Sequence, residues 1–587
     1  SEWKYYLDEA PQEPQVAQQL AELRKGYAAL TPEDIKCIDP CMGSGHILAY
    51  LFDVLMQIYR SAGYTDRDAA ASIVEHNLYG LDIDDRAAQM AYFVVMMKGC
   101  QYDSRFLRRH LNPHVYAIQE SGELTTDALG RLGKQESTAR VLLDGFKNAK
   151  EYGSILQPKV TLAELDALQE QLREVGGASD VGSLTDQLVA GQIVNVLYPL
   201  IEQAWMLVQK YDVVVTNPPY MGGSGMNARL SDYVKKYYPD SKNDLFAVFI
   251  EHGNEMVKRA GFNCMVTMQS WMFLSSFEKM RVNALQTKTI TNLMHMENMV
   301  MGIAFGTAVT VFQNAAVHGY KGTYNQIKLQ DIENDVPKQF PVSGNRFAQV
   351  STDNFFKIPG SPIGYWISNT ILNDYDRAIL AGKIAQFKHG MSTGKNEAVV
   401  RLWYEVAFEN IKFDAKSHDD LYESNKKYVP YNKGGEYRKW YGNKAYVLAY
   451  DQEADALMDT FPGHRHDNKD TYFRKCISWS KVTSGGLAMR FFEEGFVYDV
   501  AGCSAFTSDK YIYYLLAFYN LKVKGPLVAS LSPTLNFEVG QLQNSPIIYD
   551  EEKEESINND VEKAIDIEKS DWDSFETSWD FKHHPLV

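Results

Sequence analysis

Residues 35–63, "IKCIDPCMGSGHILAYLFDVLMQIYRSAG", run a short strand into a turn with two glycines and then into a long apolar helix that stops at Gly63. This succession leaves few folds open, because the helix must pack back on the sheet that holds the strand. The pattern then repeats. "NLYGLDID" reads as a second strand, and "DDRAAQMAYFVVMMKG" as a helix opened by Asp84 or Asp85 and closed at Gly99. "VYAIQ" (115–119) reads as a third strand, "YDVVVT" at 211 resumes the sheet, and "FNCMVTMQ" and "TAVTVFQN" supply later strands. Alternating strands and helices imply an α/β domain with a parallel sheet covered on its faces.

Residues 1–30 form a lead-in to this domain, which spans 31–345. A polar stretch at about 121–205 carries Leu162, Leu165, Leu168 and Leu172 near helical spacing and reads as an inserted helical subdomain. From 346 to 548 the sequence turns irregular and rich in Tyr, Gly and Lys, which marks a second domain. The acidic end, 549–587, reads as a helical or linker segment leading out of it.

The net charge of −16 argues against a nucleic-acid partner until its distribution is considered. Asp550 to Glu576 is acidic, whereas Lys426 to Lys444 is basic, so the total hides a local cationic patch. No apolar run reaches the roughly 20 residues that span a bilayer, and no signal peptide opens the chain, so a cytoplasmic place and no membrane partner are expected. The six cysteines show no C-x-x-C spacing, which disfavours disulfides and zinc. His464 and His466 lack further ligands in the sequence and read as surface residues, so no metal is expected.

The glycine turn suits several nucleotide-like ligands. A dinucleotide fingerprint needs a third glycine where Leu48 stands, and "GMSTGKN" from Gly390 is one residue short of a P-loop and has Asn396 in place of Ser or Thr. S-adenosylmethionine has no phosphate and needs neither motif. It needs glycines where the backbone approaches it, for which Gly43 and Gly45 serve, and an acid ending the next strand for the ribose hydroxyls, for which Asp82 serves. Pro40-Cys41 matches the nucleophile dipeptide of cytosine-carbon methylating enzymes, but inside this turn the cysteine would face the wrong ligand, so a packing or backbone role is assigned.

The strand at 211 ends in "NPPY". An exocyclic amino group is a poor nucleophile because its lone pair is conjugated with the ring. Two acceptors holding its hydrogens favour a pyramidal nitrogen, and the Asn217 side-chain carbonyl and the Pro218 backbone carbonyl supply them. Pro218 and Pro219 stiffen the turn, and Tyr220 is placed to stack on a base taken out of the duplex.

With this motif the chain resembles class I S-adenosylmethionine-dependent amino methyltransferases, a Rossmann-like fold that modifies adenine N6 in DNA or glutamine in proteins. The order of cofactor turn, "NPPY" and C-terminal domain is that of the gamma class of DNA adenine methyltransferases. "DPCMGSGHILAY", "YGLDIDDRAAQMAYFVVMM", "NPPYMGGSGMN", "KNDLFAVFIE" and "SPTLNFEVGQ" together look like the PglX family of BREX phage-defence systems. The resemblance implies cofactor contacts at Asp39, Pro40, Met42, Gly43, Gly45, Asp82 and Ile83, with Gln119 or Glu120 near the cofactor adenine. It makes Asn217, Pro218, Pro219 and Tyr220 the catalytic motif and Phe305 a second ring on the base. It makes 346–548 a mixed α+β target-recognition domain for double-stranded DNA.

Candidate DNA contacts there are Lys395, Asn396, Lys433, Arg438, Lys439 and Asn443, with Lys426, Lys427 and Lys444 as further cations. Other BREX proteins and phage-encoded inhibitors are the partners implied. The family also carries an aromatic, Thr-Pro-like cofactor motif before the glycine turn and extends further at both ends. "SEWKYYLDEA" does not match that motif, so an incomplete pocket is expected. The alternatives are a protein-glutamine methyltransferase, against which the large second domain argues, and a non-catalytic recognition or assembly subunit, against which the intact "NPPY" argues.

Overall fold

The computed structural model describes residues 6–178, 184–343, 346–483, 485–522, 524–531 and 536–584. Ser532 to Leu535, which open the "SPTLNFEVGQ" segment, therefore lie outside the described residues. Internal contacts divide the chain into two units, 1–355 and 356–587. The division falls ten residues beyond the expected one, because the Phe355 ring packs edge-on against Tyr324 of the first unit, 5.8 Å between centroids.

The first unit is built on one sheet. Its strands are β1 (Cys37–Asp39), β2 (Leu78–Asp82), β3 (His114–Ala117), β4 (Tyr211–Thr216), β5 (Val257–Met268), β6 (Thr289–Met296), β7 (Thr307–Gln313) and β8 (Lys321–Ile327). A hairpin of β9 (Ile332–Glu333) and β10 (Val336–Pro337) precedes the edge strand β11 (Phe347–Ser351). The order across the sheet is β11-β8-β6-β7-β5-β4-β1-β2-β3. β1 to β5 pair in parallel, and β7 runs antiparallel between β5 and β6. From β1 the chain moves outward through β2 and β3 and then returns to β4 on the other side. The carboxyl ends of β1 and β4 thus flank the switch point, where an open α/β sheet leaves a crevice for ligands.

The helix His46–Ser61 buries Leu48, Phe52, Leu55, Met56 and Tyr59 along one stripe. It packs against the helix Asp85–Tyr102, whose cap is Asp84: its carboxylate accepts from the N–H groups of Arg86 and Ala87 at 2.7 and 3.1 Å. The insertion contains the helices Thr126–Gly130, Glu136–Gly145, Ala149–Tyr152, Leu162–Ala178 and Leu184–Val208. Leu165, Leu168 and Leu172 are buried in it, while Leu162, in the first turn of its helix, is exposed. The last helix ends three residues before β4 begins, so the insertion is joined to the sheet without a loop of its own. In the lead-in, the helix Pro14–Arg24 lays Val16 and Leu20 on Val317 and Tyr320 beside β8.

The second unit holds two four-stranded sheets. One is antiparallel, in the order Ala385–Lys388, Ser504–Thr507, Cys476–Trp479 and Met489–Phe492. The other runs Val400–Leu402, Tyr446–Ala449, Tyr428–Asn432 and Val497–Tyr498, with its last pair parallel. The acidic helix Glu554–Trp572 does not lead out of this unit. Val561 and Ile565 are buried, Ile557 packs beside them, and this four-residue spacing lays the helix on Asp509–Asn520. No helix among the described residues is long and apolar enough to cross a membrane.

Candidate active site

β1 ends at Asp39, which is fully buried at the switch point. One carboxylate oxygen accepts from the Cys41 N–H at 3.1 Å, and the other has no hydrogen-bond partner. Burial pushes the Asp39 carboxyl up to about 7. A buried carboxylate with a free oxygen is costly alone and is favoured by a cationic neighbour.

Gly43 and Gly45 both have positive φ, +52° and +87°, but they serve different ends. A Cβ on Gly45 would lie 2.9 Å from Ala91 Cα, so this glycine lets two helices approach. A Cβ on Gly43 would meet nothing within 4 Å, so this backbone borders open space. Asp82, ending β2, accepts from the Gly43 N–H at 2.9 Å with one oxygen and from the Asp84 N–H at 2.9 Å with the other. It therefore ties the glycine turn to β2 and retains lone pairs for further donors. The Met42 side chain is buried against Gly80, where a Cβ would come within 2.4 Å of its sulfur. Met42 anchors the turn in the core and does not line the cavity described next.

A cavity of about 350 Å³ lies above these strand ends and brings Pro40, Cys41, Asp82, Ile83, Asn217 and Pro219 together. Met221, Leu230, Leu245 and Phe249 add an apolar side, and a further wall comes from the insertion, residues 151–155, where sequence reasoning placed no site residue. The chain reaches this wall through Asn148 and Gly153, both at positive φ. Ser154 Oγ donates to the Pro40 carbonyl at 2.5 Å, and Glu151 accepts from Asn227 Nδ2 at 2.6 Å, just after the "NPPYMGGSGM" turn. Polar side chains in a segment that otherwise reads as packing were the only available signal. Cys41 lines the cavity next to Ser154 Oγ, 4.0 Å away, and burial holds its thiol well above the usual range, so it is no thiolate nucleophile.

At the end of β4, Asn217 is exposed, Pro218 buried and Tyr220 half-buried. The Tyr220 hydroxyl lies 3.0 Å from Asn217 Oδ1 and 3.2 Å from the Val266 carbonyl on β5. Its ring meets Phe246 and Phe305 edge-on, at 6.2 and 5.7 Å between centroids. Phe305 is half-buried, not a core residue. The turn is held from behind by Asp244, which caps the helix Leu245–Met256 through the Phe246 N–H and also accepts from the Met221 N–H at 3.0 Å. This explains "KNDLFAVFIE": its aspartate fastens the "NPPY" turn to a helix.

Gln119 does not reach the cavity. Its side-chain amide donates to Asp85 Oδ1 at 2.7 Å, and Glu120 is exposed.

In the second unit the candidate DNA contacts separate. Lys444 is buried, in an ion pair with Glu493, and is unavailable to phosphate. Arg438 pairs with Asp571 at 2.9 Å and Glu568 at 3.5 Å, and lies over the Trp572 ring. Lys439 donates to the Asn520 carbonyl, Lys426 to the Ile411 carbonyl, and Asn443 to the Glu436 carbonyl. Lys433 sits 5.7 Å from the centroid of the Tyr446 ring. Lys395, Asn396 and Lys427 are exposed.

Residues 76–300 match the family model of the Eco57I restriction-modification methylase. The whole chain aligns at 35% identity with 49% of the adenine-specific methyltransferase BrxX of Escherichia coli O9:H4 (strain HS). It aligns at 34% identity with 49% of the adenine-specific methyltransferase PglX of Lacticaseibacillus casei (strain Zhang). The chain is a homologue of BrxX and PglX. It spans about half the length of these curated relatives. Among solved structures, the Type ISP restriction-modification enzyme LlaBIII bound to DNA shares the fold with a TM-score of 0.51 at 10% identity, over 96% of this chain and 39% of that one. The Type IIL enzyme MmeI in complex with DNA gives a TM-score of 0.51 at 9% identity, over 96% and 68%. The chain thus shares the fold of these two restriction-modification enzymes.

Proposed function

We propose that this chain transfers a methyl group from S-adenosylmethionine to N6 of a flipped-out adenine in duplex DNA, as the methyltransferase and target-recognition parts of a BREX-type phage-defence enzyme. The observation that carries this reading is one cavity at the switch point that joins Asp82, the glycine-turn residues Pro40 and Cys41, and the "NPPY" residues Asn217 and Pro219. The adenine-specific methyltransferases BrxX and PglX, similar over the whole chain, support it.

The residues present fit the cofactor. Gly43 borders open space, Asp82 lines the cavity and keeps lone pairs for ribose hydroxyls, and Asp39 lies fully buried behind Pro40 and Cys41, where a positively charged ligand would favour its ionised form. Bound there, the cofactor supplies an electrophilic methyl group. Asn217 and the Pro218 carbonyl hold the two amino hydrogens and aim the nitrogen lone pair at it. The Tyr220 hydroxyl has a single proton and two acceptors, Asn217 Oδ1 and the Val266 carbonyl. Turning that proton to Val266 releases Asn217 Oδ1 for the base. Asn217 is neutral and no general base, so the amino proton leaves after transfer. Pro219, Tyr220 and Phe305 border the base, with Tyr220 and Phe305 as its aromatic contacts.

Target recognition is assigned to the second unit, with Lys395, Asn396 and Lys427 as exposed contacts, a cytoplasmic place, and other BREX proteins and phage-encoded inhibitors as partners. The reading is tested by mass spectrometry of nucleosides from DNA incubated with the protein and labelled S-adenosylmethionine. N6-methyladenine is expected. Label on protein glutamine with none on DNA would favour the amide-methylating alternative.

A further inference from the structure

The pair His464 and His466, isolated in the sequence, is not isolated in the fold. The helix Gln452–Met458 ends at Asp459, and the following loop turns both imidazoles back toward this residue. His464 Nε2 and His466 Nε2 lie 3.0 Å apart, and Asp459 Oδ1 lies 3.6 Å from the first and 3.5 Å from the second. Metal–ligand bonds of 2.0–2.2 Å in a tetrahedral zinc site place any two ligand atoms about 3.3–3.6 Å apart. The triangle is close to one face of that tetrahedron.

Protonation points the same way. His464 Nδ1 lies 2.8 Å from the Ser392 carbonyl, which can only accept, so this nitrogen carries the proton and Nε2 is left with a lone pair. A backbone carbonyl in this place is the usual orienting partner of a metal-bound imidazole. The His464 side chain is only 4% exposed. His466 Nε2 faces three acceptors: His464 Nε2 at 3.0 Å, Asp455 Oδ1 at 3.1 Å and Asp459 Oδ1 at 3.5 Å. One proton on that nitrogen cannot serve all three, whereas a divalent cation shared by His464, His466 and Asp459 brings three of these groups onto one centre.

We propose that Asp459, His464 and His466 bind a zinc-class divalent cation, with water in the fourth position and the Asp455 carboxylate beside it. Its role is structural. Ser392 and Arg465 exchange two backbone hydrogen bonds, 3.1 and 3.0 Å, and Gly394 fits so closely that a Cβ there would lie 2.9 Å from Phe461 Cβ. The ion closes the 459–466 loop, and the His464 Nδ1 hydrogen bond to the Ser392 carbonyl carries that order to the 390–396 loop, which presents Lys395 and Asn396. Metal binding itself stands independently of the proposed methyl transfer.

The test is zinc stoichiometry by elemental analysis after the chain is equilibrated with zinc and dialysed, together with the visible ligand-field bands of the cobalt(II)-substituted protein. One equivalent of metal and tetrahedral cobalt bands are expected, and His466→Gln should lose both. Because that substitution also alters a partly buried residue of the loop, Asp459→Asn at an exposed position is the second probe, with cobalt affinity expected to fall at least tenfold while circular dichroism is unchanged. Substoichiometric zinc in the parent protein, or undiminished metal in both variants, overturns the proposal.

Discussion

Asn217 and Asp39 differ in exposure, and the roles proposed for them are tested in different ways. Asn217 is exposed at the end of β4 and waits for its partner, so Asn217→Ala should lower methyl transfer by at least about a hundredfold while leaving cofactor affinity within about twofold, read by single-turnover kinetics and calorimetry. Asp39 is buried, and its carboxyl is raised to about 7, so the folded protein holds a proton there that the unfolded chain releases near pH 4. Folding stability from this group accordingly falls as pH rises from about 4 to about 7. A cationic ligand favours the ionised form, so S-adenosylmethionine affinity should rise as pH passes through about 7. Asp39→Asn should flatten that dependence, and an unchanged pH profile in the variant would contradict the role.

Elements explain what single motifs do not. Gly45 is needed for helix approach more than for the cofactor: its Cβ would press on Ala91 Cα, and its φ is +87°. Gly45→Ala should cost about 2–4 kcal/mol in chemical denaturation, from overpacking and left-handed strain together. Asp244→Ala removes a helix cap and the tether of the Met221 N–H, with an expected loss of about 1 kcal/mol and a lower kcat at little-changed cofactor Kd. Much of this was legible. The "DPCMGSG" and "GLDID" motifs end strands where local pattern places them, since strand, turn and helix signals are local. The 151–155 wall was not legible, because it depends on positive φ at Asn148 and Gly153 and on a segment returning over the turn from more than 100 residues away. Nor was it legible that the Met42 side chain turns into the core and that of Gln119 to Asp85, because adjacency in sequence does not say which way a side chain points.

At the scale of the molecule, charge is what the sequence concealed. The basic stretch reads in the sequence as a local cationic patch, yet Arg438 pairs with Glu568 and Asp571 within the second unit, and Lys444 is buried with Glu493. Only contacts between residues far apart in the sequence, 133 residues for Arg438–Asp571 and 49 for Lys444–Glu493, reveal such neutralisation. Lys395→Ala should therefore weaken DNA binding and reduce the salt dependence of the affinity by about one unit of slope, whereas Arg438→Ala should leave that slope unchanged. The adenine N6 methylation proposed for the "NPPY" cavity is tested by methyl transfer from labelled S-adenosylmethionine to unmethylated duplex DNA, with parent and Asn217→Ala proteins side by side. N6-methyladenine formed by the parent and lost in the variant is predicted; label on another atom, or equal N6-methyladenine from both, would contradict the account.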